Sequence, residues 1–311
     1  QNQLDAAVSH YHAALALDPA LAPAHNNLGG IYQALGDMEK AGSCYRNAIK
    51  SDPELAEAHR NYAAVLEIKG ETVSALHHYR EALRINPGYD EVAFKIAALN
   101  GDNAPAAAPS EYVAGLFDQY AEEFDHHLTG TLGYRTPQLL REMFDRLAEE
   151  PGFIRILDLG CGTGLSGEAF RECASHMAGV DLSPRMIDKA KARGIYHELH
   201  CGDVVQALKR DTQAWDLILA VDVLVYIGDL GGFMPAAANA LRPGGWLLFS
   251  VEKSTQGNFV LGKSGRYAHN LEYLQLLASQ AGLNLLEMEE TVLRQDYGND
   301  VMGYLLMMQK P

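Results

Sequence analysis

The sequence predicts a mostly parallel α/β sheet that is preceded by an all-α domain of helical repeats. Two observations lead to this fold class. Residues 154–167 read as a buried strand, a glycine-rich turn and the start of a helix, which is the opening of a nucleotide-type cofactor site in a parallel sheet. Earlier in the chain, Pro19, Pro53 and Pro87 stand 34 residues apart, which indicates a repeated structural unit.

Length and charge limit the classes of protein to consider. The 311 residues suffice for two domains of ordinary size, and a hydrophobic content of 48% supports buried cores. The net charge of −15 offers no broad basic surface for nucleic acid or for an anionic membrane. We therefore predict neither nucleic acid nor membrane as a partner.

Cysteine usage and the chain ends bear on the compartment. Cys44, Cys161, Cys173 and Cys201 show neither CxxC nor zinc spacing, which favours a reducing, cytoplasmic compartment. No apolar run reaches membrane-spanning length, and no signal peptide is visible. Because the chain begins inside what reads as a repeat, we expect the natural protein to extend upstream of Gln1.

The first hundred residues repeat a pattern of small and aromatic side chains. Two copies share the same spacing: Gly36, Ala41, Tyr45 and Ala48, then Gly70, Ala75, Tyr79 and Ala82. This spacing resembles the tetratricopeptide repeat (TPR), a helix–turn–helix unit. Residues 1–100 are therefore predicted to hold about two and a half TPR units and a closing helix over 90–99.

The role of the repeats stays open at this point. TPR arrays usually present a concave surface to a partner protein, and polar residues lie on the first helices, where such a groove would be: His25, Asn26, Asn27, His59, Arg60 and Asn61. The alternatives are an array that packs on the second domain or forms a dimer, with these residues as a solvated face. Residues 101–110 have linker composition and mark the predicted domain boundary.

Residues 111–137 carry aromatic side chains at helical spacing, among them Tyr112, Phe117, Tyr120 and Phe124. The string Phe-Asp-x-Tyr-Ala-x-x-Phe-Asp resembles the leading segment of many small-molecule methyltransferases. There it forms a lid over the methionyl end of S-adenosylmethionine (SAM), and aromatic faces attract a sulfonium cation. The alternative is an amphipathic helix whose aromatic residues pack on the sheet.

The glycine turn discriminates between cofactors. Gly160, Gly162 and Gly164 follow the strand 154–159, and a helix is predicted from Leu165, so that free N–H groups point at the turn. The dinucleotide fingerprint needs a glycine where Leu165 stands. Asp158 would repel a pyrophosphate and suits a ligand that carries positive charge. A plain βα turn without a ligand is the alternative.

The α/β rhythm continues beyond this turn. The predicted elements are a helix over 136–150, strands over 177–180, 196–200, 215–221 and 246–251, a helix over 230–241, and a closing strand pair near 284–293 and 304–308. Acidic residues follow three of these strands, at Asp181, Asp203 and Asp222.

These markers, in this order, resemble class I SAM-dependent methyltransferases across residues 111–311. The resemblance implies a Rossmann-like sheet whose last strand is antiparallel. It also implies that Asp181 accepts both ribose hydroxyls and that Asp203 accepts from the exocyclic amine of adenine. Together with the repeats, the chain resembles bacterial TPR-containing methyltransferases.

The same resemblance implies a set of cofactor contacts. They are the aromatic residues Tyr112, Phe117, Tyr120 and Phe124, and then Asp158, Gly160, Cys161, Gly162, Gly164, Leu165, Asp181, Leu182, Ser183, Met186, Gly202, Asp203, Val204, Val221 and Asp222.

Methyl transfer requires alignment of an acceptor with an activated sulfonium, and a hydroxyl or thiol acceptor must also lose its proton. The candidate bases are His127, Asp222, Tyr226, Glu252 and His269. The Asn/Asp-Pro-Pro-Tyr motif of DNA and amide N-methyltransferases is absent after the fourth strand, and no Asp-Asn pair typical of magnesium-dependent catechol enzymes is obvious. We therefore predict no metal, and small-molecule O-methylation as the leading reaction.

The segment 252–270 follows the fifth strand, where substrate lids lie in this fold. It concentrates Lys263, Arg266, Tyr267 and His269 in an otherwise acidic chain, which suits an anionic acceptor such as a carboxylate or phosphate. The predicted substrate contacts are Tyr226, Glu252, Arg266, Tyr267 and His269. A solvated loop is the alternative.

Two other functions remain open from the sequence. One is methylation of a protein or carrier-bound substrate that the TPR module recruits. The other is a SAM-binding adaptor that recruits a partner without turnover, because the glycine turn indicates binding and not transfer. An NAD-dependent reductase is disfavoured by Asp158 and by the glycine spacing.

Overall fold

The computed structural model of the protein describes residues 2–126, 128, 130, 133–148, 152, 154–296 and 298–311. The chain divides into two compact units, Gln1–Asn103 and Ala104–Pro311, which are described separately. Among the described residues, no helix combines the length and the apolar character needed to cross a membrane.

The first unit consists of antiparallel helix pairs. Its helices are α1 (Asn2–Leu17), α2 (Ala22–Ala34), α3 (Met38–Ser51), α4 (Ala56–Ile68), α5 (Thr72–Ile85) and α6 (Asp90–Asn100). The repeated alanines are fully buried between the helices, where their small size allows close approach. A Cβ added at Gly29 would lie 2.6 Å from the Tyr45 ring, so Gly29 leaves room for this ring, and the equivalent position of the next repeat holds the small Ala63.

The two repeat copies make the same hydrogen bond in the same place. The Tyr45 hydroxyl donates to Gln33 Oε1 at 2.8 Å, and the Tyr79 hydroxyl donates to Glu67 Oε2 at 2.8 Å. Both tyrosine rings are buried. The two sequence repeats therefore also repeat the same packing and the same polar contact.

The residues predicted to line a partner-binding groove differ in their burial and in their contacts. His59 is buried, with Nε2 at 3.2 Å from the Pro53 carbonyl and Nδ1 at 3.0 Å from Nδ1 of His78. Asn61 donates to Asn26 across the two repeats at 3.0 Å. These contacts give His59 and the asparagine pair a role in helix packing, whichever face binds a partner.

The second unit is a sheet with helices on both faces. Its helices are α7 (Ser110–Tyr120), α8 (Phe124–His126), α9 (Thr136–Leu147), α10 (Leu165–Phe170), α11 (Pro184–Arg193), α12 (Val204–Arg210), α13 (Phe233–Ala240) and α14 (Leu271–Gln280). Its strands are β1 (Ile154–Leu159), β2 (Ala174–Asp181), β3 (Glu198–Cys201), β4 (Trp215–Ala220), β5 (Leu241–Ser254), β6 (Phe259–Leu261), β7 (Tyr267–Asn270), β8 (Asn284–Asp296) and β9 (Asn299–Gln309).

The strand order is β3-β2-β1-β4-β5-β7-β6, with β9 antiparallel to β5 and β8 antiparallel to β9. Strands β1 to β5 pair in parallel. In β1, Leu157 and Leu159 pack into one core and Ile156 into the other, because successive side chains point to opposite faces. The predicted fold class, a mostly parallel Rossmann-like sheet with an antiparallel last strand after helical repeats, is confirmed.

Two segments differ from the sequence interpretation. The segment 252–270, predicted as a lid, instead contains β6 and β7, and β7 extends the sheet through parallel pairing with the end of β5. Tyr267 and His269 are buried, and their period-two spacing within a glycine-rich stretch is a strand signal that the prediction missed. The boundary between the two units also falls inside the predicted linker 101–110, because residues from Ala104 onward belong to the second unit. There the Ala108 N–H donates to the Tyr226 carbonyl at 2.9 Å.

Candidate active site

A cavity of about 500 Å³ lies where the chain leaves the carboxyl ends of the central parallel strands. This crevice is the usual ligand position in an open α/β sheet, at the point where the strand order reverses. The predicted site residues that line it are Phe117, Tyr120, Phe124, Gly160, Cys161, Gly162, Leu165, Asp181, Leu182, Asp203, Val204, Val221, Asp222, Tyr226 and Arg266.

The glycine turn has the backbone geometry that its residues predict. Gly160, Gly162 and Gly164 have φ values of +64°, +52° and +99°, a region that side chains with a Cβ rarely adopt. A Cβ at Gly160 would also lie 2.5 Å from Val223. The turn can therefore approach a ligand closely, and larger residues are excluded.

Asp181 organises the turn from the end of β2. Its two carboxylate oxygens accept the N–H groups of Gly162 and Ser183, both at 2.9 Å. Asp181 lines the cavity while burial raises the pKa of its carboxyl. Each oxygen has further lone-pair capacity, so Asp181 can accept hydroxyl groups from a ligand while it holds the turn.

Asp203 lies beside Asp181 on the wall of the cavity and begins α12. Its side chain accepts the Gln206 N–H at 2.8 Å as a helix N-cap. Leu182 and Val204 line the cavity next to the two aspartates. This part of the wall therefore combines two carboxylates with apolar surface.

Asp158 is not brought to the cavity. It is completely buried on the same face of β1 as Ile156, and it accepts a hydrogen bond from the Tyr196 hydroxyl at 2.6 Å. Desolvation raises the pKa of this carboxyl to about 7. The prediction that Asp158 meets a cationic ligand is therefore not supported by its position, because strand alternation turns the side chain into the core.

This buried carboxyl gives an expected pH dependence of stability. The pKa of Asp158 is about 7 in the folded protein and 3.8 ordinarily. Between pH 3.8 and 7, the folded state therefore keeps a proton that the unfolded state has lost. The free energy of unfolding then falls as the pH rises through this range. We expect Asp158→Asn to gain stability relative to the wild type across this window, by on the order of 4 kcal/mol at most. Urea unfolding at pH 5, 6 and 8 measures it, with the exposed Asp188→Asn as control. A pH-independent difference between the two proteins would contradict the burial effect.

The aromatic segment covers the cavity. Phe117, Tyr120 and Phe124 line it, with Phe124 in edge-to-face contact with both other rings. Phe117 also meets Tyr226 edge to face at 5.6 Å between centroids. Tyr112 does not line the cavity, although Ser110 and Val113 on the same turn of α7 do.

Polar contacts that the sequence did not reveal hold this segment to the rest of the unit. We name them the lid latch: Asp118, Glu122 and Asp125 on the aromatic segment, and Thr163, Ser183, Arg185, Lys189 and Arg193 on the glycine turn and α11. Asp118 accepts the Ser183 hydroxyl, and Glu122 accepts Lys189 Nζ at 2.6 Å. The acidic residues of the lid are thus paired with basic residues along α11.

Asp222 marks the other end of the cavity, directly after β4. Its φ of +56° is a left-handed conformation in a non-glycine residue, and such outliers cluster at functional sites. The Asp222 N–H donates to Ser250 Oγ at 2.9 Å. Its carboxylate lines the cavity and accepts a hydrogen bond from Arg266.

Four further side chains surround this carboxylate, and we name the group the arginine cluster: Asp222, Tyr226, Glu252, Arg266 and Arg294. Arg266 donates to Glu252 Oε1 at 2.6 Å and to the Tyr226 hydroxyl at 3.1 Å, and Arg294 donates to the same Glu252 oxygen at 2.7 Å. Burial works to raise the pKa of Glu252, but the two guanidinium groups outweigh it and lower the pKa. Glu252 therefore stays ionised and holds both arginines.

The remaining predicted site residues lie elsewhere. His269 is buried with Nε2 against the Ile227 and Gly228 carbonyls, and burial lowers its pKa to about 4. The Tyr267 hydroxyl donates to the Pro105 carbonyl at 2.8 Å. Neither lines the cavity, and the same holds for Gly164, Ser183, Met186, Gly202 and Glu252. His127 lies outside the described residues.

The predicted role of His269 as a base is therefore corrected. A base has to reach the proton that it removes, and this ring is turned to backbone carbonyls instead. Residues that the sequence analysis missed also line the cavity, chiefly Tyr134, Thr163 and Arg294. The sequence offered one signal for Arg294, because a charged residue directly after the apolar Val292 and Leu293 indicates an arginine with a specific role.

Comparison with known proteins assigns the class. A family model described as "Methyltransferase domain" matches residues 126–287, just over half of the chain. Models described as "Tetratricopeptide repeat" and "TPR repeat" match residues 20–87 and 1–36. The fold and the site define a SAM-dependent methyltransferase preceded by TPR repeats, as predicted. The chain belongs to the methyltransferase domain family.

Curated relatives are similar at low identity. The ubiquinone biosynthesis O-methyltransferase of Bordetella avium is 26% identical over 181 residues, which covers 50% of this chain and 75% of the relative. That of Xylella fastidiosa (strain 9a5c) is 30% identical over 115 residues, 36% of this chain and 47% of the relative. The chain thus spans between about half and three quarters of these relatives.

Solved structures share the fold. The [4+2]-cyclase SpnF superposes with a TM-score of 0.52 at 20% identity, covering 67% of this chain and 98% of the cyclase. The Burkholderia thailandensis 1,6-didemethyltoxoflavin-N1-methyltransferase, with bound S-adenosylhomocysteine (SAH), superposes with a TM-score of 0.50 at 20% identity, covering 67% and 92%. A cyclase and a methyltransferase among these structures show that the fold alone does not define the reaction.

Proposed function

We propose that this protein transfers a methyl group from SAM to an oxygen atom of a small molecule. The observation that carries the proposal is the pair of guanidinium groups, Arg266 and Arg294, beside Asp222 at one end of the cavity. Cations at this position favour an acceptor that develops negative charge, such as a hydroxyl that loses its proton.

The proposed arrangement of the cofactor follows the polar groups along the cavity wall. Asp203 and Val204 would hold the adenine, Asp181 the ribose hydroxyls, and the glycine turn the methionyl part. Phe117, Tyr120 and Phe124 would then face the sulfonium, whose attraction to aromatic faces is strongest where water is excluded. When bound, SAM supplies an activated methyl group.

The chain's own residues would position the acceptor and take its proton. Asp222 lines the cavity and is oriented by Arg266, so an acceptor hydroxyl can donate to this carboxylate and then lose its proton to it. Tyr226 accepts from Arg266, which leaves its own O–H to donate to the acceptor oxygen. The aromatic lid excludes water from the cavity, which protects the alignment needed for in-line transfer.

The relatives add support for oxygen as the acceptor atom, since both are named O-methyltransferases. Their low identity leaves the acceptor itself to be found. All four cysteines are free thiols, in keeping with a reducing compartment, and we propose the cytoplasm.

A second proposal is that the TPR module recruits a protein or a carrier-bound acceptor, and the matches to TPR models favour it. The two proposals are distinguished by comparing transfer rates of the full chain with those of residues 104–311. The truncated protein begins at residue 104 because the residues that follow belong to the site. Ala107 and Ala108 line the cavity, and the Ala106 carbonyl accepts the Gly228 N–H at 2.8 Å.

The proposed function is tested by calorimetric titration of SAH and NADH into the full chain. We expect SAH to bind with a Kd on the order of micromolar and NADH to show no binding. Transfer of labelled methyl from SAM to a component of a metabolite extract then separates an enzyme from a SAM-binding adaptor. Binding of NADH alone, or of neither ligand, would refute the proposal.

A further inference from the structure

The arginine cluster contains a buried donor whose hydrogen-bonding capacity is unused. Arg294 is 7% exposed and lines the cavity. Its Nη2 donates to Glu252, but its Nη1 has no hydrogen-bond partner among the described residues. Asp222 Oδ1 lies 3.7 Å from this Nη1, too far for a hydrogen bond. Buried donors in native proteins are almost always paired, so this atom points to a ligand.

The ion pairs within the cluster explain why Arg294 is the arginine with an unused hydrogen-bond donor. Two carboxylates, Asp222 and Glu252, balance two guanidinium groups. Arg266 donates to both carboxylates, whereas Arg294 hydrogen-bonds only to Glu252. SAM brings a net positive charge to this neutral group. An anionic oxygen on the acceptor would pair with Arg294 Nη1 and compensate that charge.

The position of Arg294 assigns it to the acceptor and not to the cofactor. The acidic groups suited to adenosine, Asp181 and Asp203, follow β2 and β3, on one side of the β1–β4 switch point. Asp222, Arg266 and Arg294 come from β4 and the strands beyond it. The rings of Phe117, Tyr134 and Tyr226 also line the cavity, which suits a planar aromatic acceptor.

We infer that Arg294 determines acceptor specificity by binding an anionic oxygen of the methyl acceptor. The acceptor class is a hydroxyaromatic compound that carries a carboxylate or an equivalent oxyanion on the same ring as the hydroxyl that is methylated. Glu252 is a positioning residue that fixes both guanidinium groups. The inference rests on the proposed methyl transfer to oxygen and extends it to a substrate class.

The test uses two probes that differ only in the anionic oxygen, 3-hydroxybenzoate and 3-hydroxybenzamide. Each is titrated calorimetrically into the full chain saturated with SAH. We expect the wild type to bind the acid about tenfold more tightly than the amide, the discrimination given by one charge-assisted hydrogen bond. Arg294→Gln should abolish this preference and leave SAH affinity within about twofold, and Arg294→Lys should retain part of it.

A matched control is Arg146→Gln, which removes an exposed arginine that pairs with Glu287 and Glu289 on the same strand, β8. It should behave as the wild type. Equal or undetectable binding of both probes by the wild type overturns the inference. So does an Arg294→Gln protein that loses SAH affinity but keeps the preference, because the arginine would then serve the cofactor carboxylate. Absence of SAH binding by the wild type would instead refute the proposed function.

Discussion

Replacing Asp222 by asparagine is expected to lower methyl transfer by about 10²–10⁴-fold, the usual contribution of a general base, with SAH affinity within about twofold of the wild type. Asparagine keeps the shape of the side chain and tolerates the left-handed backbone at this position, where φ is +56°. What it loses is the negative charge that accepts a proton. Transfer of labelled methyl into a metabolite extract and titration with SAH measure the two quantities.

The control for this variant is Asp145→Asn, which removes a carboxylate paired with Arg141 at 2.8 Å on an exposed helix face. It tests whether loss of any aspartate–arginine pair slows the reaction. Unchanged transfer by Asp222→Asn would remove this residue from the mechanism. A loss of SAH affinity without a loss of maximal rate would make it a cofactor residue.

The second large effect is expected at Asp181. Asp181→Ala removes the acceptor for the proposed ribose hydroxyls and also the acceptor for the N–H groups of Gly162 and Ser183. Hydrogen bonds to a charged group contribute about 1.5–3 kcal/mol each, so we expect SAH affinity to fall by about 100-fold or more. Calorimetry on folded protein measures the change.

Asp188→Ala is the matched control, because this exposed residue lies on the helix that follows Asp181 and does not line the cavity. Asp181→Asn provides a graded variant with one carbonyl oxygen and no charge. If SAH binds Asp181→Ala as tightly as the wild type, the ribose lies elsewhere and the proposed orientation of the cofactor is wrong.

The sequence predicted those parts of the site that a local pattern encodes. The glycine turn and Asp181 lie within a strand–turn–helix unit and at the end of the next strand, so their spacing alone locates them. The helical period of Phe117, Tyr120 and Phe124 predicted an aromatic helix, and the resemblance to methyltransferases implied its place over the cofactor. The cavity wall proposed for the cofactor is therefore encoded mainly by residues that are close together in the chain.

The parts of the site that the sequence did not predict depend on strand pairing between segments that are distant in the chain. Arg294 reaches the cavity because β8 pairs with β9 and β9 with β5, and the predicted closing strand pair did not show which of its side chains would face the site. Asp158 and His269 were misassigned for a related reason, since strand alternation decides which face a side chain occupies. Both were assigned to the ligand by residue type, and both are buried in the core.

The lid latch has a consequence for the pace of catalysis. Its ion pairs at Glu122 join side chains that are substantially exposed, Arg185 at 48% and Lys189 at 39%, and such pairs hold with little net free energy and weaken in salt. These two pairs therefore add little to the closure of the lid, whereas Asp118 and Asp125 hydrogen-bond with groups that are partly buried. We expect ionic strength to act on the residence time of the demethylated product and not on the chemical step beneath the lid.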